Sequence, residues 1–316
     1  MDREADIARV AALGCWRGTP RIEPLAGGMT NRNWLVRDAA GAHVARLGED
    51  LPHHMVLRWH EHAVARAAGA AGISPEVEHS APGVLVMRFV EGRSLAAGDL
   101  GAPGRLAAVA ALLRRCHREL PLHLRGPALA FWPFHAIRGY AAMLREGASA
   151  WLGELDALLA LAGEVEAALS PAPTVFAHND LLAANLVDDG QRLWLIDWDY
   201  AGWGSPVFDL ANLAANNGLG AAQEEALLEA YLGRAPDAAL RRDLAAMRVA
   251  SQLRETLWSM ASELRPSVDF DYASYTRENL ARLAAERAGW EGILRPSGQS
   301  TSRPAASASR GTVHPA

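Results

Sequence analysis

Apolar residues along the chain change their spacing near residue 90. Before that point they fall in short alternating runs, at Arg21–Leu25, Asn33–Arg37 and His43–Leu47, with turn residues between them. This pattern predicts a three-strand antiparallel meander. A helix and two further short strands follow, at Arg58–Ala71, Glu76–His79 and Val84–Phe89.

Helical spacing dominates after residue 91. It covers Arg105–Leu120, Tyr140–Leu169, Gln223–Tyr231, Ala238–Leu264 and Tyr272–Ala288. We therefore predict an α+β fold with a small N-terminal antiparallel-sheet lobe, residues 1–90, and a larger, mostly helical lobe, residues 91–295. Residues 296–316 are rich in Ser, Pro, Ala and Gly, so we predict a disordered tail there.

The composition excludes several classes of protein. No run of about 18 apolar residues lacks a charge, so no membrane span is predicted. A net charge of −5 without a basic block argues against a nucleic-acid partner. Two cysteines, Cys15 and Cys116, do not make a disulfide framework, and the N-terminus lacks a signal-like apolar core. We therefore expect a cytoplasmic protein, and the sequence makes no prediction of its oligomeric state.

Three polar residues in the second half of the chain carry the clearest chemistry. Asp180, Asn185 and Asp197 are spaced by 5 and 12 residues, and the apolar run Leu193–Ile196 leads into the last. Phosphoryl transfer from Mg-ATP needs one carboxylate beside the attacking hydroxyl, and an Asn and a second carboxylate as metal ligands. Each residue alone would be interpreted as a turn residue. Together, after a predicted strand, they favour a catalytic site.

The surrounding residues resemble the choline/ethanolamine kinase branch of the aminoglycoside phosphotransferase superfamily, which is related to protein kinases. The chain has His178-Asn179-Asp180 in place of H-R-D and Ile196-Asp-Trp-Asp-Tyr200 in place of D-F-G. The resemblance implies a bilobal protein-kinase-like fold, with ATP as phosphoryl donor and Mg²⁺ as cofactor. It implies a small hydroxyl-bearing acceptor, with choline or ethanolamine first and an aminoglycoside, thiamine or another small molecule as the alternative. A catalytically inactive nucleotide-binding scaffold is the competing hypothesis.

The resemblance also assigns roles to five residues of the catalytic segment. Asp180 would accept the proton of the acceptor hydroxyl or orient its oxygen, and so would contact the substrate. Asn185 and Asp197 would hold Mg²⁺ through hard oxygen donors. His178 and Asp209 would support the catalytic loop structurally.

On the nucleotide side, the resemblance places a phosphate-covering turn at Gly27 and Gly28, with Thr30 and Asn31 as backbone or phosphate contacts. Glycine lets backbone amides approach phosphate closely, although an ordinary hairpin turn would need it too. Phe89 lies in the segment that matches the hinge between the lobes, where backbone groups would bind adenine.

Arg46 stands on the third predicted strand, where a protein kinase has its phosphate-binding lysine. All 31 basic residues of this chain are arginine, and a guanidinium can fork onto phosphate oxygens. Glu61, on the following helix, is the expected ion-pair partner of Arg46. A surface arginine and a surface glutamate are the alternative.

The acceptor site is expected near the metal and on a C-terminal helix. Asp199 would attract a cationic substrate or cap the helix that starts after Pro206. Trp258 falls on an aromatic wall that choline kinases place around a quaternary ammonium, and Tyr275 lies near another. Glu255 stands where a second Trp would be. A core role for Trp258 is equally open.

Two further groups of polar residues bear on the site. Glu255, Glu263, Asp269 and Asp271 keep an aminoglycoside acceptor open, because such kinases present an acidic pocket. Four histidines, at positions 53, 54, 60 and 62, lack metal-ligand spacing, so they are interpreted as solvated.

Overall fold

The computed structural model describes residues 3–25, 31–266 and 270–294. Three predicted nucleotide contacts, Gly27, Gly28 and Thr30, lie outside the described residues. The predicted tail, residues 296–316, and Asp269 lie outside them as well.

The N-terminal part is built on a five-stranded antiparallel sheet. Its strands are β1 (Arg21–Leu25), β2 (Arg32–Asp38), β3 (Gly41–Leu47), β4 (Val77–Ala81) and β5 (Val84–Arg88), in the order β1-β2-β3-β5-β4. Asp38 closes the β2–β3 hairpin, because its Oδ1 accepts hydrogen bonds from the amides of Ala40 and Gly41 at 2.7 and 3.2 Å. The predicted meander is confirmed.

Both faces of β5, an inner strand of the sheet, are buried. Because side chains alternate along a strand, its Val84 and Val86 join a small core under α1 (Arg3–Ala11), whereas Leu85 and Met87 join the main core. Helix α2 (Arg58–Ala70) contributes to the main core and places Glu61 in the interior.

The larger part of the chain is mostly helical. Its helices are α3 (Arg105–Arg118), α4 (Leu120–His123), α5 (Pro133–Glu146), α6 (Leu152–Ala167), α7 (Pro206–Asn216), α8 (Ala221–Leu232), α9 (Ala238–Leu264) and α10 (Tyr272–Leu294). The single helix predicted over Tyr140–Leu169 is wrong. The Gly147 amide closes α5 onto the Met143 carbonyl at 2.9 Å, and Ala148 then takes a left-handed conformation with φ of 47°.

Five short strands carry the predicted catalytic segment. β6 (Arg93–Ser94), β8 (Leu186–Asp188) and β9 (Leu193–Leu195) form one antiparallel sheet, and β7 (Val175–Ala177) pairs with β10 (Gly202–Gly204). Asp180 follows β7, Asn185 precedes β8 and Asp197 follows β9. The three side chains line one cavity as a result.

The lobe boundary predicted after residue 90 falls between β5 and β6, and it stays a prediction. The main core runs across that position, since it includes Leu85 of β5 as well as Phe134, Phe176 and Phe208 of the helical part. Within the described ranges, each helix is too short or too polar to span a bilayer.

Candidate active site

One buried carboxylate organises the loop that carries Asp180. Asp209, in the first turn of α7, accepts hydrogen bonds from the amides of His178 at 2.8 Å and Asn179 at 2.7 Å, and from Nε2 of His117 at 2.8 Å. Burial alone would raise the pKa of Asp209, but the hydrogen bond and charge of His117 outweigh it and lower that pKa. The loop is therefore anchored to an ionised side chain, and Asn179 takes a left-handed conformation with φ of 65°.

His178 joins the two ends of the catalytic segment. Its Nδ1 accepts a hydrogen bond from the Asp180 amide at 3.3 Å, and its Nε2 lies 3.0 Å from the carbonyl oxygen of Ile196. Nε2 must carry the proton, because a carbonyl only accepts. Burial lowers the pKa of His178, so the ring is neutral. These contacts support the predicted bracing role over a role in proton transfer.

Two asparagines that the sequence reading left without a role complete this support. Asn212 Oδ1 accepts from the Leu181 amide at 2.5 Å, and Asn217 Oδ1 accepts from the Ala183 amide at 2.8 Å. Asn217 Nδ2 donates back to the Leu181 carbonyl at 3.1 Å. With Asp209, they hold the backbone of residues 178, 179, 181 and 183 from α7 and the residue that caps its C-terminus, and the signal for this in the sequence is the spacing of the three side chains.

Asn185 and Asp197, the predicted metal ligands, line the same cavity. Asn185 donates its Nδ2 to the Asp180 carbonyl at 2.9 Å, so its Oδ1 is the atom that can bind a cation. Asp197 has a left-handed backbone with φ of 71°, as strained positions at functional sites often do. Within the described residues, no group of three or more His, Cys, Asp and Glu could hold a metal. One amide and one carboxylate suit Mg²⁺, which takes most of its other ligands from phosphate and water.

Two cavities meet at these two residues. The larger, of about 600 Å³, lies against the sheet and is walled by apolar residues that include Val44, Met87, Phe89 and Ile196. The smaller, of about 220 Å³, contains Asp180, Tyr200, Glu255, Trp258 and Tyr275. Asn185 and Asp197 line both. A nucleotide in one cavity and an acceptor in the other would thus share this boundary.

Comparison with known proteins agrees with this arrangement. The model of the "Phosphotransferase enzyme family" matches residues 21–249, which is more than half of the chain. The chain belongs to the phosphotransferase enzyme family.

Individual relatives include proteins that are named as ethanolamine or choline/ethanolamine kinases. The Protein LicA of Haemophilus influenzae is 27% identical over 210 residues, covering 65% of this chain and 61% of the relative. Ethanolamine kinase 2 of Mus musculus is 27% identical over 154 residues, covering 45% and 38%. A crystal structure of a choline/ethanolamine kinase family protein from Mesorhizobium loti has a TM-score of 0.77 and 27% identity, covering 93% of this chain and 98% of that one. The predicted protein-kinase-like α+β fold and the predicted family are confirmed.

In this member of the phosphotransferase enzyme family, Arg46 lies in a buried network of charges. Its Nε is 3.2 Å from Glu61 Oε1, so the predicted pair is present. Its Nη2 lies 2.6 Å from Asp197 Oδ1 and 3.3 Å from Asp199 Oδ1. Arg58, which sequence reasoning missed, pairs with Glu61 at 2.5 Å and Asp199 at 2.8 Å. The two guanidiniums are buried with the carboxylates of Glu61 and Asp199, as buried charges must be paired, and the half-buried Asp197 lies at the edge of this network.

Asp199 does not have one of the two roles considered for it. The helix-cap alternative is wrong, because Ser205 caps α7 by accepting from the Val207 amide at 3.2 Å. The attraction of a cationic substrate stays a prediction, but Oδ1 of Asp199 is engaged by arginines and Oδ2 accepts from Asn31 Nδ2 at 3.2 Å. Asn31 is buried against this carboxylate, and its expected backbone or phosphate contact stays a prediction.

The predicted hinge residue Phe89 lines the larger cavity. Its amide donates to the Ala42 carbonyl at 2.9 Å, and the amide of Arg88 donates to the Glu76 carbonyl at the same distance. Those two hinge amides are therefore used within the sheet, and backbone contacts to adenine would come from other groups.

The far wall of the smaller cavity is formed by α9 and α10. Glu255 Oε1 accepts from the Tyr275 hydroxyl at 2.8 Å, and Oε2 pairs with Arg254 Nη1 at 2.8 Å. Trp258 is 5% exposed and packs edge-on with Tyr272, with ring centroids 6.1 Å apart. It belongs to the core and lines the cavity at once, so both readings of Trp258 keep support.

Asp180 lines the smaller cavity and contacts Arg254, another residue whose role the sequence did not indicate. Arg254 Nη2 is 3.3 Å from Asp180 Oδ1. Burial raises the pKa of Asp180 to about 7, against the opposing effect of Arg254. A carboxylate with such a pKa can both take and release a proton near neutral pH.

The interpretation of the histidine cluster as solvated is wrong for two members. His54 and His60 are each 2% exposed. His60 Nε2 accepts from the Leu129 amide at 3.1 Å, and His54 Nε2 lies 3.3 Å from the Ser262 hydroxyl. Burial lowers the pKa of His54 to about 3 and that of His60 to about 4, so both rings are neutral packing residues.

Proposed function

We propose that this chain is a Mg²⁺-dependent kinase that transfers the γ-phosphoryl group of ATP to the hydroxyl of a small amino alcohol. Choline and ethanolamine are the first candidates, because relatives carry those names. The observation that carries the proposal is the pair of cavities that meet at Asn185 and Asp197, with Asp180 on the smaller side. The first relative is matched over only 61% of its length, so the acceptor rests on this geometry as well.

The nucleotide would occupy the larger cavity. Its apolar walls suit an adenine ring, and Arg46, which lines it, would reach the phosphates. Asn185 and Asp197 would hold Mg²⁺, which when bound neutralises charge on the phosphates. Glu61 would hold Arg46 through the Nε of its guanidinium.

The transfer step follows from the position of Asp180. The acceptor oxygen forms a bond to the γ-phosphorus, the bond from that phosphorus to the β–γ bridging oxygen breaks, and ADP leaves. The hydroxyl proton passes to Asp180, whose raised pKa suits it to hold a proton after transfer. Holding both reactants in line contributes most of the acceleration in this chemistry.

Two alternatives receive less support. An inactive scaffold would have no need of the buried hydrogen bonds that hold Asp180 and Asn185 in place. An aminoglycoside is a poor fit for an acceptor cavity of about 220 Å³, in which Glu255 is already paired with Arg254 and Tyr275.

The test is a coupled assay of ADP release with choline, ethanolamine, thiamine and several aminoglycosides, with and without Mg²⁺. We expect Mg²⁺-dependent ADP release with an amino alcohol, and loss of that release in Asp180→Asn. A folded protein that is stabilised by nucleotide in a thermal-shift assay, yet releases no ADP with any acceptor, would favour the scaffold. Phosphorylation of an aminoglycoside alone would overturn the acceptor class and leave the kinase assignment intact.

A further inference from the structure

Arg254 is a buried cation whose partners lie in the catalytic loop. It stands in the middle of α9 and its side chain is 3% exposed. Nη2 contacts Asp180 Oδ1 at 3.3 Å and the Asn179 carbonyl oxygen at 3.4 Å, while Nη1 donates to Glu255 Oε2 at 2.8 Å. A guanidinium that is removed from water needs such partners. Two of these three contacts are therefore made with the loop that carries the proposed proton acceptor.

The same guanidinium also contacts the segment after the metal ligands. Its central carbon lies 4.5 Å from the ring centroid of Tyr200, within the range of a cation–π contact. Tyr200 in turn holds Asn179 Nδ2 through its carbonyl at 3.0 Å. Arg254 thus joins helix α9, the loop at Asp180 and the segment after Asp197. A lysine could not make these contacts together, because it lacks the planar fork.

We propose that Arg254 is a positioning residue for the phosphoryl transfer, a role that rests on the function proposed above. It fixes Oδ1 of Asp180 and the carbonyl before it, which leaves Oδ2 as the carboxylate oxygen for the acceptor hydroxyl. Through Glu255 and Tyr275 the same side chain is tied to the wall of the acceptor cavity. One guanidinium thereby sets both the position of Asp180, which takes the proton, and the position of the substrate that accepts the phosphoryl group.

A different reading of the same contacts makes a different prediction. If the guanidinium merely filled the place where the ammonium of an acceptor binds, its removal would leave the turnover number intact and lower the acceptor KM. The contact with the Asn179 carbonyl favours positioning, because holding backbone of the catalytic loop has no part in filling a substrate pocket.

The experiment compares Arg254→Ala and Arg254→Lys with a matched control, Arg248→Ala. Arg248 lies on the same helix with its side chain 14% exposed, and it pairs with Glu286 of α10 at 2.6 Å, but it lines neither cavity. Steady-state ADP release is measured with the best amino-alcohol acceptor. Each reaction is repeated with millimolar guanidinium chloride, and with sodium chloride at the same concentration.

We expect Arg254→Ala to lower kcat by about 10²-fold, as small misplacements of reacting groups do. The ATP KM should change by less than about threefold. Free guanidinium should raise the kcat of Arg254→Ala about tenfold, because it can re-form the planar contact with Asp180. Arg254→Lys should be intermediate, and Arg248→Ala should keep the wild-type kcat without responding to guanidinium.

Three results would overturn the proposal: a wild-type kcat in Arg254→Ala, a kcat loss that neither guanidinium nor lysine restores, or a lower acceptor KM at unchanged kcat. If circular dichroism shows that Arg254→Ala does not fold, the test rests on Arg254→Lys. A wild-type kcat in Arg254→Lys would show that the planar guanidinium is not needed, and would overturn the proposal. If the wild-type protein has no turnover with any acceptor, both the proposed function and this inference are refuted. If the wild-type protein is active and the Arg254 variants are equally active, the inference alone is refuted.

Discussion

Replacing Asp209 by Asn should destabilise the protein by several kilocalories per mole. The buried carboxylate accepts three hydrogen bonds, from His178 N, Asn179 N and His117 Nε2. An amide has a single oxygen, which can keep the two donors now on Oδ2, while its NH₂ group would face the Asn179 amide. One buried donor left unsatisfied costs about 1–3 kcal/mol, and loss of charge from the two remaining bonds removes about 1 kcal/mol each. The expected sum is about 3–5 kcal/mol, a large part of the stability of about 5–15 kcal/mol that is typical of a domain.

Urea denaturation followed by circular dichroism at pH 7 would measure this loss. Asp243→Asn is the matched control, because Asp243 is also buried and its Oδ1 accepts from the Ser170 amide at 3.2 Å. The amide oxygen can keep that bond, so we expect a loss below about 1 kcal/mol. Turnover should fall in Asp209→Asn and not in Asp243→Asn, since Asp209, unlike Asp243, holds the loop before Asp180.

The dependence of the free energy of unfolding on pH is a second test of the role of Asp209. The pKa of Asp209 is lowered in the folded state, so its contribution is fully present above its ordinary value of 3.8 and is lost as the pH falls through the lower folded value. The stability gap between wild type and Asp209→Asn should therefore be constant near neutrality and shrink only in acid. A gap below about 1 kcal/mol at pH 7, or one that grows as the pH falls, would refute the assignment of three charge-assisted bonds.

Five further substitutions, at four residues, test the site. Asp180→Asn should lower kcat by about 10² or more with little change in ATP affinity, and Asp197→Ala should abolish Mg²⁺-dependent turnover; near wild-type rates in either folded variant would contradict the kinase assignment. Arg46→Lys should keep partial activity and Arg46→Ala should raise the ATP KM, so unchanged ATP kinetics in Arg46→Ala would remove its assigned role. Trp258→Ala should raise the KM of an amine acceptor about 2- to 30-fold if a ring face worth about 0.5–2 kcal/mol is lost; a sharp loss of stability at unchanged acceptor KM would mean packing alone.

The strands and most helices could be predicted because turn residues and apolar spacing are local signals. β1 and α9 have the predicted limits, and the other four strands of the five-stranded sheet agree within two residues, whereas the short strands β6, β7, β8 and β10 were not predicted. The break between α5 and α6 was missed because apolar spacing continues across it. The break is caused by the left-handed backbone of Ala148, next to Gly147. Gly147 lies close to Leu264, and this packing contact between distant residues leaves no local pattern in the sequence.

The candidate site was predictable to the extent that it is a linear motif. Asp180, Asn185 and Asp197 lie within a short segment whose chemistry dictates its residue types. Arg254 is 74 residues from Asp180, and Arg58 is 141 residues from Asp199. Such pairs are set by the packing of whole helices, so the arginines on α2 and α9 had no distinguishing mark in the sequence.

A count of acidic residues in the sequence therefore overestimates how strongly the C-terminal helices near the smaller cavity attract cations. Of the four acids that kept an aminoglycoside open, Glu255 is paired with Arg254, Glu263 accepts from the Trp151 indole at 2.7 Å, and Asp271 Oδ1 accepts from the Ser274 amide at 2.9 Å. Asp269 lies outside the described residues. Three separate local bonds do not make the continuous acidic surface that a polycation would need. A single ammonium, in contrast, requires only one ring face or one partly shared carboxylate, and the cavity wall offers both in Trp258 and Glu255. The described charges thus favour a small monocationic acceptor over a polycationic one.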